Sequence, residues 1–315
     1  MNEQISLLKK ELSKAVIGQE AMIEGLLIGL LCDGHILVEG VPGLAKTTTI
    51  NALSKAIGLD AKRIQFTPDL LPSDIIGAQI YNPQDHSFSI KKGPLFTHLL
   101  LADEINRAPA KVQSALLEVM QERQVTIADE TFKLERPFLV MATQNPIEQE
   151  GVYALPEAQL DRFMMKLVVH HNSEEEELDI MRKAASKSFG EIETVLDIDA
   201  LHKLQDTINT LHIDEELERY MVQLIAATRD PIKFGLEEIA ESIMFGASPR
   251  ASIDLYKAAK AKAFLRGKSF VSPADIGYVI HNILRHRIVL SYEARAKGIS
   301  TDQIISRIVE TLPVP

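Results

Sequence analysis

The hydrophobic positions of the first half of the chain form short apolar runs separated by stretches with helical spacing. Runs that are apolar at nearly every position are typical of strands buried on both faces of a parallel sheet. The runs are Ile36–Glu39, Ile64–Phe66, Leu99–Ala102, Phe138–Ala142 and Met164–Val169. From about Ser173 onward the strand-like runs stop and amphipathic helices dominate. The pattern predicts an α/β core over residues 1–171, followed by an all-helical domain over residues 172–315.

Helix starts in the second half are clearly marked in the sequence. Ser173, with Glu176 three residues later, forms a capping box in which each side chain bonds the other residue's backbone N–H. Two further starts place a serine before a proline, at Ser248-Pro249 and Ser272-Pro273. Serine is a preferred N-cap, and proline fits the first helical position, where no backbone donor is needed. We therefore expect helices to begin at these points.

Composition narrows the classes of protein. The chain has 315 residues, 46% of them hydrophobic, and no apolar run long enough to span a membrane. Its single cysteine, Cys32, excludes an internal disulfide and a cysteine-based zinc site, and the histidine spacings suggest no structural metal. The formal net charge of −10 disfavours binding to nucleic acid or to an anionic membrane. The first residues lack the apolar core of a secretory signal, so we expect a cytoplasmic protein.

The segment Gly40–Thr47, GVPGLAKT, has the spacing of a phosphate-binding loop. In such loops backbone N–H groups surround phosphates, a lysine reaches the β- and γ-phosphates, and the next hydroxyl ligates Mg²⁺. Lys46 and Thr47 occupy those two positions, between a short apolar strand and a predicted helix, Thr47–Ile57, that Gly58 caps. The other interpretation is a tight strand-to-helix turn with an exposed lysine.

One position in this loop departs from the common pattern, because Ala45 stands where a glycine usually precedes the lysine. Alanine adds only a methyl group, which is tolerable where φ is negative and unfavourable where φ is positive. We therefore predict that Ala45 has a negative φ and lies in the first turn of the helix.

Polar residues follow two of the apolar runs. Asp103 and Glu104 end the run Leu99–Ala102, at the strand end where open α/β sheets bind ligands. We expect Asp103 to hold the Mg²⁺ shell and Glu104 to orient and polarise an attacking water. Asn145 follows the run Phe138–Ala142 and could hydrogen-bond that water or a γ-phosphate. The alternatives are an exposed strand-end turn for the two acids and an ordinary turn before a proline for Asn145.

Two arginines are candidates for contact with phosphates. Arg162, in LPEAQLDRF, could stabilise the charge on a transferred phosphoryl group, often from a neighbouring subunit. The alternative for Arg162 is a surface ion pair with Asp161 or Glu157. Arg250 falls in the first turn of the helix that Ser248 begins, where a cation opposes the helix dipole. That placement suggests a separate role, such as reaching nucleotide phosphates, although a surface arginine with a buried stem would also fit.

The order of these motifs resembles an AAA+ ATPase of the MoxR family. The resemblance covers nearly the whole chain, from Val16–Gln19 through GVPGLAKT, DEINRAP, ATQNPIEQEG and LPEAQLDRF to SPRA. It implies an enzyme that uses ATP and Mg²⁺, with an αβα core around a five-stranded parallel sheet and an all-helical lid. It also implies a ring, usually hexameric, with the nucleotide between subunits. Alanine before the lysine is normal in MoxR proteins and in the related MCM helicases, so the resemblance implies a working loop.

The resemblance also assigns roles to individual residues. Asn145 would be sensor 1, Arg162 an arginine finger acting in trans, and Arg250 the sensor-2 arginine of the lid. The turn Val16–Gln19 would line the adenine pocket. The residues expected to bind the nucleotide are Ile17, Gly18, Gly40, Pro42, Gly43, Leu44, Ala45, Lys46, Thr47 and Thr48, with Thr47 and Asp103 on the Mg²⁺.

MoxR proteins act as chaperone-like remodelers or metal-insertion helpers for protein clients, commonly with a partner that carries a von Willebrand factor A domain. The family also has an insertion in its second core helix, matching IIGAQIYNPQDHSFSIKKG, and a hairpin before sensor 1, matching QVTIADETFKL.

Other functions share this architecture. A metal-chelatase motor subunit uses the same ATPase and a similar partner, and it stays open as an alternative. A nucleic-acid motor of the MCM type is disfavoured, because the hairpin turn carries Asp129 and Glu130, which would repel phosphate. A nucleotide-gated adaptor with negligible turnover is disfavoured by the presence of Glu104 and Arg162.

Overall fold

The computed structural model describes residues 3–146, 151–186 and 189–315. The helices are α1 (Glu3–Ser13), α2 (Glu20–Leu31), α3 (Lys46–Ile57), α4 (Pro72–Ile76), α5 (Ala110–Glu122), α6 (Glu157–Leu160), α7 (Glu174–Ser186), α8 (Ile198–Asn209), α9 (Glu215–Ala227), α10 (Glu237–Ala240), α11 (Pro249–Leu265), α12 (Pro273–Leu284), α13 (Tyr292–Ala296) and α14 (Thr301–Thr311). The strands are β1 (Ile36–Glu39), β2 (Ala61–Gln65), β3 (Gly77–Asn82), β4 (Ser87–Lys92), β5 (Leu99–Asp103), β6 (Gln124–Ile127), β7 (Glu130–Lys133), β8 (Leu139–Gln144), β9 (Met165–Val168), β10 (Ile243–Phe245) and β11 (Val289–Leu290). Part of the predicted motif ATQNPIEQEG, residues 147–150, lies outside the described residues.

The strands predicted from the apolar runs form one parallel five-stranded sheet in the order β2-β5-β8-β1-β9. β1 has its predicted bounds, and the other four strands overlap their predicted runs with ends shifted by a few residues. Every residue of β1 pairs in parallel register with both β8 and β9, and Ile36, Leu37 and Val38 are fully buried. A parallel sheet covered on both faces explains why the runs lack polar alternation.

The two faces of the sheet bury two separate hydrophobic clusters, because successive strand residues point to opposite faces. Ile36 and Val38 belong to a cluster that also contains residues of α1, α2, α3 and the helices after α7. Leu37 belongs to a second cluster, around α5. The helices of the second half therefore share a core with one face of the sheet.

Two antiparallel hairpins, β3–β4 and β6–β7, lie at the positions of the predicted insertion and the predicted hairpin. The first carries the exposed rings of Tyr81 and Phe88, whose centroids are 5.1 Å apart. The turn of the second carries Asp129 after Ala128, which has a φ of 52°. The predicted hairpin is confirmed, and the predicted insertion forms a hairpin of its own.

The predicted helix starts are confirmed as well. The backbone N–H of Ser173 donates to Glu176 Oε2 at 2.8 Å, and that of Glu176 donates to Ser173 Oγ at 3.4 Å. Ser248 is the N-cap of α11 and accepts from the backbone N–H of Arg250 at 3.2 Å. Ser272 is the N-cap of α12, in a capping box with the aspartate three residues later.

The region after Ser173 differs from the prediction in one respect, because it contains a short antiparallel strand pair. Ile243 of β10 lies opposite Leu290 of β11. These strands are too short to show an alternating pattern in the sequence, which is why the prediction was helical throughout. Within the described ranges, no helix is both long and apolar enough to cross a membrane.

Candidate functional site

The segment predicted to bind phosphate connects β1 to α3. Gly43, in the middle of the segment, has a φ of 89°, a value that favours glycine. Because α3 begins at Lys46, the first backbone N–H groups of this helix have no partners within the helix and carry the positive end of its dipole. A glycine-containing turn that leads into such a helix start is suited to binding an anion.

Lys46 is folded back onto its own loop. Its Nζ donates a hydrogen bond to the backbone oxygen of Gly40. Burial lowers the pKa of Lys46, opposed by the nearby negative charges of Asp103, Glu104 and Glu39. Lys46 is therefore a half-buried cation near the acids of the strand ends, and not the exposed lysine of an ordinary turn.

The prediction for Ala45 is wrong. Its φ is 55° and its ψ is 19°, in the left-handed region, and it is the N-cap of α3 rather than a residue of the first turn. Its carbonyl accepts from the backbone N–H of Thr49 at 2.8 Å and from the hydroxyl of Thr49 at 2.9 Å. The chain needs this left-handed conformation to turn from the loop into the helix. A residue other than glycine in the left-handed conformation costs roughly 1–2 kcal/mol. The loop therefore accommodates alanine with backbone strain.

Asp103 is the last residue of β5, and Glu104 follows it. Thr143 of β8 bonds both, because its Oγ1 donates to Asp103 Oδ1 at 2.6 Å and accepts from the backbone N–H of Glu104 at 2.9 Å. Glu104 has a φ of 56°, a strained conformation of the kind that clusters at functional sites. The two acids are thus partly buried and tied to the neighbouring strand, which does not fit an exposed turn.

Sequence analysis missed three residues that shape this site. One is Thr143, and the others are Arg63 and Gln65 at the end of β2. Arg63 forms an ion pair with Asp103 at 2.8 Å, and Gln65 Nε2 donates to Glu104 Oε2 at 2.8 Å. The carboxyl ends of neighbouring parallel strands meet at one edge of a sheet, so polar residues at the ends of the other predicted strands were the available signal.

These segments enclose a cleft of about 370 Å³. The predicted residues that line it are Gly40, Pro42, Gly43, Ala45, Lys46, Thr47, Thr48, Asp103, Glu104 and Asn145. The loop side offers an ammonium group and backbone donors, which suit phosphate oxygens. The strand side offers carboxylate and hydroxyl oxygens, which suit Mg²⁺. We call this cleft the phosphate-loop cleft.

A magnesium ion fits the oxygen ligands of this cleft only if phosphates and waters complete its coordination. Within the described ranges, no group of three or more His, Cys, Asp or Glu side chains is arranged to hold a metal ion by itself. Mg²⁺ usually takes one or two protein ligands, substrate phosphates and several waters, rather than an all-protein cage. Thr47 and Asp103 both line the phosphate-loop cleft and are sufficient for that kind of site.

Three other residues predicted to bind the nucleotide do not line this cleft. Leu44 is buried in the hydrophobic core. Ile17 and Gly18 lie in a turn held by Asn172, whose Nδ2 donates to the backbone oxygen of Ile17 at 2.8 Å. A Cβ on Gly18, where φ is 71°, would collide with the side chains of Asn172 and Glu176, so the turn requires glycine there.

Arg162 and Arg250 do not line the phosphate-loop cleft either. Both line a second cleft, of about 310 Å³, which we call the arginine cleft. Arg162 Nη1 donates to the backbone oxygen of Leu117 at 2.8 Å, and Arg250 Nη1 lies 3.9 Å from Asp161 Oδ2. The structure therefore brings the two arginines to one place, and that place is not the phosphate loop of their own chain.

Comparison with known proteins decides the family. Residues 35–165 match the ATPase family associated with various cellular activities (AAA), and residues 237–308 match the AAA lid domain. Chaperone MoxR1 of Mycobacterium tuberculosis is 47% identical over 305 residues, which cover 97% of this chain and 81% of that protein. This chain belongs to the MoxR family of AAA+ ATPases.

Further relatives agree with the assignment to the MoxR family. Protein MoxR of Paracoccus denitrificans is 33% identical over 325 residues, covering 96% of this chain and 94% of that protein. A crystal structure from Cytophaga hutchinsonii, of a protein provisionally assigned as an ATPase, is 52% identical with a TM-score of 0.94. That match covers 99% of this chain and 95% of the other. As a MoxR-family enzyme, the chain is an ATP hydrolase and binds nucleotide, and AAA+ proteins typically form oligomers.

Proposed function

We propose that this MoxR-family ATPase hydrolyses ATP with Mg²⁺ in a cytoplasmic ring, most simply a hexamer. It uses the reaction for chaperone-like remodeling or maturation of a protein client, together with a partner that carries a von Willebrand factor A domain. Residues 1–171 form the nucleotide-binding core, and residues 172–315 form the lid. The observation that carries the proposal is the location of the phosphate loop and the two arginines in different clefts of one chain. The relative named Chaperone MoxR1 supports the client-directed role.

Within one chain, the phosphate-loop cleft would bind the substrate and the attacking water. Lys46 and the free N–H groups at the start of α3 would hold the phosphates. Thr47 and Asp103 would hold Mg²⁺, which neutralises charge on the phosphate oxygens when bound. Glu104 would orient and polarise the water, and Asn145 would hydrogen-bond either the water or the γ-phosphate.

The arginine cleft would complete the site of a neighbouring subunit. A ring can place Arg162 and Arg250 of one subunit against the phosphate loop of the next. A guanidinium there stabilises the charge that develops on the transferred phosphoryl group, an effect worth about 10³–10⁵ in rate. Both arginines would then act in trans, the lid arginine included.

The client is a protein rather than a nucleic acid in this proposal. Asp129 and Glu130 are exposed at the turn of the β6–β7 hairpin, and the chain has a net charge of −10. Negative charge on an inserted hairpin repels a phosphate backbone.

Steady-state ATPase activity, measured against protein concentration, tests the proposal. We expect specific activity to rise with concentration as rings form. Glu104→Gln and Arg162→Ala should each lose most of that activity while still binding ATP, because neither change touches the phosphate loop. Glu175→Gln and Arg219→Ala, at exposed positions on α7 and α9, are the matched controls and should keep the parent rate.

Two results would contradict the proposal. A low rate that does not depend on concentration, and that neither Glu104→Gln nor Arg162→Ala changes, would exclude a shared active site in a ring of this chain. A rate that rises when single- or double-stranded DNA is added would favour a nucleic-acid motor over a protein remodeler.

A further inference from the structure

Asp161, the residue before Arg162, joins separate parts of the chain. Its Oδ1 accepts a hydrogen bond from Nε of Arg287 at 2.8 Å, and its Oδ2 accepts one from Oγ of Ser248 at 2.9 Å. Ser248 is the N-cap of α11, whose first turn carries Arg250. One carboxylate therefore links the segment of Arg162 to the helix of Arg250.

Arg287 is a buried guanidinium, with 1% of its side chain exposed. It pairs with Asp254 of α11 at 2.5 Å. It also donates to the backbone oxygens of Asp161, Phe163 and Met164, at 3.2, 2.9 and 3.2 Å. A planar guanidinium is suited to several fixed bonds at once. Arg287 thus ties the backbone of the segment that starts at Asp161 to the side of α11.

We infer that Asp161 and Arg287 form a positioning clamp, which holds Arg162 and Arg250 as one rigid unit for the nucleotide of a neighbouring subunit. The inference rests on the proposed function, in which both arginines act in trans. Neither clamp residue lines the phosphate-loop cleft, and each acts through the two arginines. A misplacement of about 1 Å at a catalytic group can cost about 10²-fold in rate, so a clamp of this kind affects catalysis directly.

The location of the clamp separates it from an ion pair that only packs the lid. Asp161 precedes one arginine in the sequence, and its Oδ2 lies 3.9 Å from Nη1 of the other. It lines both the arginine cleft and an adjoining cleft of about 600 Å³, so it forms the wall between them. An ion pair needed only for packing has no reason to contact the groups that would meet a neighbour's phosphates.

Asp161→Ala breaks the clamp without removing either arginine. We expect the concentration-dependent ATPase rate to fall about 10- to 100-fold, because the arginines lose their fixed spacing. The Kd for ATP should not change, since the phosphate loop is intact. Asp161→Asn keeps an oxygen that can accept from Arg287 and should recover part of the rate. If Asp161→Ala fails to fold, Asp161→Asn and Ser248→Ala provide the same test with smaller changes.

Mixed rings distinguish positioning from folding. Glu104→Gln subunits do not hydrolyse ATP but retain the clamp and both arginines. When they are mixed with Asp161→Ala subunits, which retain Glu104, part of the activity should return. Where the two variants meet in a ring, the Glu104→Gln subunit supplies the correctly placed arginines and the Asp161→Ala subunit supplies the carboxylate of Glu104. Asp161→Ala mixed with Arg162→Ala should stay inactive, since neither subunit supplies a correctly placed Arg162.

Asp302→Ala is the matched control, because Asp302 pairs with Arg285 at 2.9 Å and leaves the bonds of Asp161 intact. It should lower thermal stability and keep the parent rate. The clamp is overturned if Asp161→Ala keeps the parent rate, or if it loses ATP binding and is not restored in mixed rings, while Arg162→Ala is inactive. If Arg162→Ala is itself fully active, the proposed function has failed and the clamp fails with it.

Discussion

The two clefts hold their charged groups in different ways. At the phosphate-loop cleft, the hydroxyl of Thr143 bonds both the carboxylate of Asp103 and the backbone N–H of Glu104, and Arg63, a partly exposed neighbour, pairs with Asp103. At the arginine cleft, the segment of Arg162 is joined to the helix of Arg250 by Asp161, which bonds Ser248 and pairs with the buried side chain of Arg287.

Under the proposed function, this difference follows from what each cleft would bind. Groups that bind a substrate from solvent must exchange hydrogen-bond partners when it arrives, which partly hydrated side chains do readily. An arginine that serves a neighbouring subunit has no ligand in its own chain to orient it, so its position must be fixed in advance by the protein. Buried charge pairs with many bonds to backbone oxygens supply that rigidity.

Removing one cation from each cleft is the strongest test of this comparison. Lys46→Ala should abolish ATP binding and hydrolysis, because it removes the cation of the phosphate loop. Arg162→Ala should keep ATP binding and lower hydrolysis by about 10³- to 10⁵-fold. Equilibrium binding of a fluorescent ATP analogue and steady-state hydrolysis measure the two effects. Lys55→Ala, at an exposed position of α3, should change neither, and equal loss of binding in both variants would mean that the clefts are not separate half-sites.

Thr143→Val tests whether the hydroxyl of Thr143 positions the two strand-end acids, Asp103 and Glu104. Valine keeps the shape of threonine but leaves Asp103 Oδ1 and the backbone N–H of Glu104 without this partner. An unsatisfied group of this kind costs about 1–3 kcal/mol, so we expect hydrolysis to fall about 10- to 100-fold with a smaller change in ATP binding. Thr131→Val, on the exposed β7 strand, is the control. A parent rate in Thr143→Val would show that the hydroxyl does not position the acids.

The arginine cleft is lined by a histidine, His35, whereas no histidine of the described residues lines the phosphate-loop cleft. One ring nitrogen accepts from the backbone N–H of Val140 at 3.1 Å, and the other bonds the backbone oxygen of Met120 at 3.0 Å, which is the pattern of a neutral imidazole. Burial, with the nearby charge of Arg123, lowers the pKa of His35 to about 4. The unfolded chain, where the pKa is about 6.5, therefore binds the proton more readily. The stabilisation by His35 is complete above about pH 6.5 and is lost as the pH falls toward 4.

Urea denaturation at two pH values measures this effect. Between about pH 7 and pH 5, the unfolding free energy of the parent should fall by about 2 kcal/mol more than that of His35→Gln, which cannot titrate at this position. His286, whose pKa burial also lowers, titrates in both proteins and cancels in the difference. An equal pH dependence of the two proteins would contradict a neutral, buried His35.

The sequence was more informative about the phosphate-loop cleft than about the arginine cleft, for a physical reason. The phosphate loop and the strand-end acids are local features, each set by a few consecutive residues and by the apolar strand before them. Arg162 and Arg250 were identified individually, but their meeting depends on bonds between Asp161 and Arg287, which are 126 positions apart. Contacts at that separation leave no periodic signal in the chain.

The error at Ala45 has another origin, because backbone conformation was inferred there from residue type alone. The turn into α3 fixes φ at 55° whichever residue occupies the position, and the partly buried methyl group packs against the hydrophobic core. The geometry of the loop thus outweighs the preference of alanine for negative φ.

Ala45→Gly has the smallest expected effect. It compares the backbone strain at this position directly with the packing of the alanine methyl group. Glycine adopts this conformation without Cβ strain, so the unfolding free energy should rise by up to about 1 kcal/mol, reduced by the greater freedom of glycine in the unfolded chain. The ATPase rate should stay close to that of the parent, because the methyl group donates and accepts no hydrogen bond. Ala52→Gly, in the interior of the same helix, is the matched control of opposite sign and should lose about 1 kcal/mol or more. If urea denaturation shows a loss of stability for both variants, packing of the Ala45 methyl group against the core outweighs the backbone strain, and alanine at this position stabilises the loop.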